Sequence, residues 1–330
     1  MIAAVSPVSA PVTAIVLAHS RPETTLETVD RLQAIEPVRE ILVVDTGSMG
    51  IAAMADARGG KARGVRTADI GIGGRNAGAR EASHELLVML DDDSWPLPGA
   101  VERLAAALEA NPGTAVAGGL VRNVDPAGDV LTDTRVGSFD WWLRAGRPGD
   151  GGPAGLPAFF FPEGGCMVRR TPFLEVGGFF EPYHFAAVEM ELTTRLVGAG
   201  WDVRYVPDAL FDHLRAGPEA LVTGRTTLHY RIRNQLWYFW LRFPAPVAAR
   251  RIVAYGLFDL LEAAARGHPG AWLPAVREAW RERERVRPFR APLPRAALRR
   301  AELNRGRRHL AWLAHQVWSR LSRRGPAASR

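Results

Sequence analysis

Three adjacent carboxylates, Asp91, Asp92 and Asp93, close the apolar run ELLVML at residues 85–90. Like charges this close repel, so a cation stabilises them, and hard oxygen donors suit Mg²⁺ or Mn²⁺, ions that bridge phosphates. His213, at the end of VPDALFDH, offers a neutral imidazole that can complete such a site with carboxylates. Glu189 and Glu191 lie in VEMELTTRL. At i and i+2 of a helix they point in different directions, so one can face a site while the other makes a structural contact, with Arg195 four residues beyond Glu191. Arg75 and Asn76 follow the glycine loop IGIGG, where a helix start can meet a diphosphate. The spacing there is neither that of a dinucleotide-binding loop nor that of an ATP loop. Gly164 and Gly165 allow backbone to approach an acceptor or sugar closely. Cys166 has no local base and reads as a small buried hydrophobe. Trp141 and Trp142 can stack on sugar rings or pack.

These residues need a scaffold. VTAIVLAH at 12–19 and EILVVD at 40–45 read as buried strands, with a short strand at 65–70 and another at 85–90. Helical spacing covers 23–35, 76–83 and 101–110, and a further strand covers 115–121. Strand alternating with helix predicts a doubly wound, mainly parallel α/β sheet. Asp45 and the Asp91 cluster both fall at strand C-termini, the edge where ligands bind in such sheets. Residues 145–157 are Gly/Pro-rich loop. An acidic helix is expected over 188–198 and a last short strand over 203–206. Beyond residue 217 the pattern is helical and aromatic, which predicts an α/β region at 1–216 that carries the candidate site residues and a helical, Arg/Trp-rich region at 217–330.

Of 330 residues, 47% are apolar and 23% charged, which excludes a largely disordered or fibrous chain. No apolar stretch reaches the roughly 18–20 residues of a membrane-spanning helix. The start MIAAVSPVSAPV lacks the features of a secretory signal. A single cysteine fits a reducing cytoplasm. The net charge of +7 is uneven: residues 271–330 hold 16 Arg against 4 Glu. Six Trp (237, 240, 272, 280, 312 and 318) accompany this basic C-terminal third, and residues 303–321 space Leu310, Leu313, Val317 and Leu321 near one face. Arg with interfacial Trp suits attachment to an anionic membrane surface, ahead of a nucleic-acid backbone; plain packing or an oligomer contact is the other reading.

In order along the chain, VTAIVLAHSRPE, ILVVDTGS, GGRNAGAREAS, LLVMLDDDSWP, EGGCMVRRTPFLEVGGFFE and VEMELTTR resemble the ordered motifs of the family 2 glycosyltransferases, inverting enzymes with a GT-A fold. The resemblance covers about residues 12–215. It implies that Asp45 contacts the nucleotide base or ribose. Asp91 and Asp93 become the outer acids of a DxD motif beside the donor, with Asp92 between them, Asp93 the direct metal ligand and His213 near the metal and diphosphate. Glu189 falls where the family places the Asp of its ED pair, the catalytic base, leaving Glu191 on the acceptor side. Two departures stand here: Val188 replaces the family Glu, and the base is one methylene longer. Thr46 replaces the usual Asn of VVDNGS.

The resemblance implies metal-dependent transfer of a hexosyl or deoxyhexosyl group from a UDP- or dTDP-linked donor. The acceptor would be a glycan, a lipid-linked intermediate or a small molecule. A nucleotidyltransferase on a related sheet also needs acids and metal, but it wants a basic triphosphate loop after the first strand, where HSRPE stands. A non-catalytic basic scaffold with a degenerate site is the third reading.

Overall fold

The computed structural model describes residues 10–134, 146–215 and 224–298. β1 (Val12–Ala18) leads into α1 (Pro22–Gln33), with Pro22 at the first helical position, where its missing N–H costs nothing. β2 (Val38–Asp45), α2 (Ile51–Arg58), β3 (Ala62–Arg66), α3 (Gly74–Glu81) and β4 (Leu86–Asp91) continue the alternation. α2 is not among the expected helices: IAAMADAR has no apolar stripe, and only Ile51, Ala52 and Ala55 are buried.

β1 to β4 are parallel in the order β3-β2-β1-β4. Their side chains alternate between two cores, as a period of two requires. Val12, Ala14 and Val16 of β1, with Leu86, Val88 and Leu90 of β4, pack on one face against Val29 and Leu32 of α1. Ile15, Leu87 and Met89 pack on the other face. Burial on both faces explains why these strands read as continuous apolar runs. Each fully buried Leu or Met is worth roughly 1.5–3 kcal/mol.

A short β5 (Ser94–Pro96) and α4 (Ala100–Glu109) follow, then β6 (Thr114–Val124), β7 (Val130–Thr134), β8 (Leu156–Ala158) and β9 (Gly165–Arg169). β9 runs antiparallel between β4 and β6, with Leu90 opposite Gly165. The N-terminal end of β9 therefore lies on the same edge as the C-terminal end of β4. α5 (Arg170–Glu175) and α6 (Val188–Gly198) come next, α6 with the predicted bounds. The short strand expected at 203–206 is the start of β10 (Asp202–Leu214), 13 residues long, whose register against β6 shifts between Tyr205 and Leu210. Pro207 lies inside that irregularity, which hides the strand's continuity.

α7 (Arg225–Arg242), α8 (Ala245–Ala265), α9 (Trp272–Arg281) and α10 (Arg283–Val286) complete the described chain. These helices share the core of the second sheet face: Leu228, Trp237, Ala263 and Ala275 belong to the same apolar cluster as Ile15 and Met89. Trp237 Nε1 donates to the Ala279 carbonyl at 2.9 Å and Trp272 Nε1 to the Gly256 carbonyl at 2.7 Å. Those two Trp pin helices together, whereas Trp280 is exposed beneath the Arg283 guanidinium. Trp312, Trp318 and the Leu310–Leu321 face lie outside the described residues.

Asp259 of α8 is buried and accepts a hydrogen bond from Gln235 Nε2 at 2.8 Å. Burial, against the pull of Arg231 and with the push of Glu262, raises its carboxyl from 3.8 to about 7. The folded state thus keeps a proton that the unfolded chain loses above 3.8, so this group's contribution to stability is lost as pH rises from about 4 to about 7. Asp259→Asn removes that loss. The expected result is a higher Tm than wild type at pH 8 and no gain at pH 4; an equal shift at both pH values contradicts the assignment.

Candidate active site

The site forms where the sheet order reverses. β1 is followed outward by β2 on one side and neighboured by β4 on the other, and the crevice at such a switch point is the ligand site of open α/β sheets. Here the crevice is a cleft of about 500 Å³, lined by the β1 end (Leu17 to Arg21), Thr46, Arg75, Asp91 to Asp93, Glu163 and His213.

The acidic turn is tightly held. The Asp91 amide donates to Ser94 Oγ at 2.9 Å, and Ser94 Oγ donates to the Gly164 carbonyl at 2.9 Å. Thr28 Oγ1 donates to the Asp92 carbonyl at 3.0 Å. Arg21, half exposed, spans Asp92 and Asp93 with its guanidinium. Burial pushes the Asp92 carboxyl up to about 6, with Arg21 offsetting part and Asp93 adding to it. Burial also opposes ionisation of Asp93, but His213 and Arg21 outweigh it and hold that carboxyl below its ordinary value.

Asp91, Asp93 and His213 present ligand atoms within 4.8 Å of one another. His213 Nε2 lies 3.1 Å from Asp93 Oδ1 and 4.0 Å from Asp91 Oδ2. Yet Asp93 Oδ1 is buried with no donor of hydrogen-bond geometry. A buried carboxylate oxygen without a donor is costly. Two carboxylates and an imidazole converging on one point fit a hard divalent cation such as Mg²⁺ or Mn²⁺.

A model of glycosyl transferase family 2 matches residues 13–177, half of the chain and the part that builds this cleft as far as Glu163. The chain belongs to this family. Two curated relatives, the N-acetylglucosaminyl-diphospho-decaprenol L-rhamnosyltransferases of two Mycobacterium tuberculosis strains, are 30% identical over 166 residues, 45% of this chain and 53% of theirs. The chain thus spans about half the length of the curated relatives it matches. Among solved structures, GalNAc-T7 with UDP, GalNAc and Mn²⁺ superposes with a TM-score of 0.54 at 16% identity, covering 71% of this chain and 48% of that one. That likeness shows the GT-A-like α/β fold: a mixed, mostly parallel sheet with C-terminal helices.

Within this family-2 frame several expected site residues have other work. Asp45 is fully buried and both its oxygens accept backbone N–H groups, from Gly47 at 2.9 Å and Ala52 at 3.1 Å. It holds the loop into α2, and its neighbour Thr46 lines the cleft. Asn76 is likewise taken: its amide donates to the Phe179 carbonyl at 2.8 Å and accepts from the Phe179 N–H at 2.7 Å. It fastens the VGGF segment instead of reaching a diphosphate. Arg75 lines the cleft floor but is nearly all buried, 2.5 Å from Asp91 Oδ1 and 3.5 Å from Glu163 Oε2. Glu191, expected on the acceptor side, is fully buried between Arg195 at 2.6 Å and Arg242 at 2.7 Å, and these two guanidiniums keep its carboxyl low against burial. It is a structural ion pair, and the Arg195 partner is the one its spacing suggested.

The glycines differ too. A Cβ on Gly164 would strike the Asp91 carboxylate, so this residue is small to admit an acid and not an acceptor. Gly165 lies under Val121 and Phe211, in the core. Cys166 is buried, and burial raises its thiol well above its ordinary value, as a packing residue requires. Trp141 and Trp142 lie outside the described residues.

Glu189 occupies the first turn of α6, where the helix dipole favours a carboxylate. It is partly buried; enclosure by the cleft walls raises the Glu163 carboxyl against the pull of Arg75, and the charges of Glu189 and Asp91 add to that rise. The approach to α6 is strained: His184, Ala186 and Ala187 have φ of 63°, 64° and 56°. Left-handed conformations at non-glycine residues cost of order 1–3 kcal/mol each and persist only when the surroundings impose them. Here Asn234 Nδ2 of α7 donates to the carbonyls of Phe185 and Ala186, both at 2.8 Å, and Arg233 donates to that of Tyr183 at 2.9 Å. The C-terminal helices therefore set the position of Glu189.

Sequence reading missed Arg21 and Glu163. Arg21 stood in HSRPE as an ordinary polar turn residue. Glu163 could have been found only by knowing that β9 is antiparallel, which brings the residue preceding it to the edge of Asp91.

Proposed function

We propose that this chain is a metal-dependent inverting glycosyltransferase that moves a sugar from a nucleoside-diphosphate donor to an acceptor hydroxyl. The observation that carries the reading is the convergence of ligand atoms of Asp91, Asp93 and His213 within 4.8 Å of one another, in a family-2 cleft. Asp91, Asp93 and His213 would hold Mg²⁺ or Mn²⁺, which when bound neutralises charge on a departing diphosphate. Arg21 and Arg215 line the same cleft and can pair with phosphate oxygens. Thr46 and the β1 end supply the wall for the nucleoside.

Glu189 accepts the proton of the acceptor hydroxyl as its oxygen attacks the anomeric carbon. The carbon–oxygen bond to the diphosphate breaks on the opposite face, so the anomeric centre inverts. The products are the new glycoside and a nucleoside diphosphate, with the proton on Glu189.

A UDP- or dTDP-linked deoxyhexose and a lipid-linked acceptor are the favoured substrates, since the curated relatives are named as rhamnosyltransferases acting on a decaprenol-linked sugar and the GalNAc-T7 structure holds UDP. Attachment to the cytoplasmic face of an anionic membrane fits the Arg excess after residue 271 and the apolar side of α8, where Val253, Leu257 and Leu261 are exposed. No helix among the described residues is long and apolar enough to cross a membrane. Product analysis tests the reaction class: release of nucleoside diphosphate with an inverted glycosidic bond supports it, and release of pyrophosphate makes the chain a nucleotidyltransferase.

A further inference from the structure

A second cavity, of about 890 Å³, opens beside the donor cleft and meets it at Asp69 and His184. Its walls come from residues 176–184 on one side and from α7, α9 and the segment ending at Phe289 on the other. The size is that of a cavity holding a small molecule or one to two sugar units. Resting on the transferase reading above, we infer that this cavity binds the acceptor through an uncharged glycosyl unit, with aromatic rings as its platform.

Charge decides against an anionic occupant. Four arginines line the cavity, but three are committed inside the protein: Arg195 and Arg242 both grip Glu191, and Arg233 grips Glu278 at 2.5 Å. The fourth, Arg285, sits 3.3 Å from Glu282. Asp69 and Glu181 bring the acids on the walls to four, so the lining is balanced. A phosphate would meet as many repelling carboxylates as attracting guanidiniums. A polyhydroxyl ring can donate to the carboxylates and accept from the guanidiniums at once.

The aromatic groups are preset. Phe289 is 51% exposed yet fixed edge-on against Phe180, ring centres 5.2 Å apart. Tyr230 is held by Phe185 at 4.6 Å and by the Arg233 guanidinium at 4.6 Å. Rigid rings offer contact area at little entropic cost. The cavity also includes His184, the first residue of the left-handed segment His184–Ala187 that leads into α6 and Glu189.

Saturation-transfer NMR on the full chain tests this. The probes are methyl glycosides of glucose, N-acetylglucosamine and rhamnose, with glucose 1-phosphate as the anionic comparison, all with diamagnetic Mg²⁺ and a saturating nucleoside diphosphate chosen from UDP, dTDP, GDP and ADP. At least one methyl glycoside gives a signal while the donor cleft is filled. Phe289→Ala, at a half-exposed position that the fold tolerates, weakens it about tenfold and leaves nucleotide binding unchanged. Tyr230→Ala gives the same pattern. The inference is overturned if the nucleotide binds and no glycoside does, if the nucleotide displaces the glycoside, if both variants bind it as wild type does, or if glucose 1-phosphate binds better than the neutral rings. A chain that binds none of the four nucleotides overturns the transferase reading, and this inference with it.

Discussion

Asp93→Asn is expected to abolish cation-dependent nucleotide binding and to lower turnover by about 10³-fold or more, the scale of losing a principal electrostatic contact to the leaving group. The reason is local. Asp93 is nearly fully buried, its carboxyl is held below the ordinary value, and its Oδ1 lacks a donor while facing His213. The amide keeps the shape but removes the charge, and it turns a hydrogen-bond donor either toward the cation or toward Arg21. The neighbouring acid supplies the control. Both oxygens of Asp92 are engaged by Arg21, and burial lifts its carboxyl to about 6. Asp92→Asn therefore costs no more than about tenfold, by loosening Arg21 and leaving the Asp91/Asp93/His213 set intact. Mn²⁺ titrations of turnover in the two variants check the contrast. Equal losses would mean that the triplet acts as an undifferentiated acidic patch.

Glu189→Gln carries the second large effect. A positioned general base contributes about 10²–10⁴-fold, so kcat falls by that amount while donor affinity stays within a factor of about two. The carboxylate is one methylene longer than the family's usual Asp, but its backbone is placed by the left-handed segment His184–Ala187, held from outside by Asn234 and Arg233. Position of the helix start and length of the side chain can thus compensate one another. Glu163→Gln is the necessary comparison, since Glu163 lines the cleft beside Arg75 and feels the charge of Glu189. Steady-state kinetics with a fixed donor separate the two: a large kcat loss in Glu163→Gln with a mild one in Glu189→Gln would move the base to Glu163.

Much of this was legible in the sequence because it is written locally. The parallel strands are apolar runs that end in Asp45 and Asp91, and the helix over 188–198 has its periodicity in plain view. The acidic cluster at Asp91 and Asp93 is visible from residue type alone. What failed was decided by partners far along the chain. Asn76 looked like a phosphate ligand until Phe179, 103 residues on, claimed its amide. Glu191 is chemically equivalent to Glu189; Arg195 four residues on and Arg242 from α7 together assign it to the core. Gly164 was read as room for a substrate and is room for Asp91. Glu163 opens the EGGCMVRR segment, but its place beside Asp91 depends on strand direction, which, unlike strand existence, leaves no mark in periodicity. The composition of the C-terminal helices left membrane attachment and plain packing both open; in the structure they complete the core and brace the segment before Glu189.

The proposed reaction requires that the cleft bind a nucleoside diphosphate together with a divalent cation. Isothermal titration of wild-type protein with UDP, dTDP, GDP and ADP, each with Mn²⁺ and again with EDTA, measures it. Saturable binding of one nucleotide series in Mn²⁺, weakened at least about tenfold by EDTA, is the predicted result. A folded chain that binds no nucleotide, or binds one equally well in EDTA, would contradict it and leave a basic scaffold with a degenerate site.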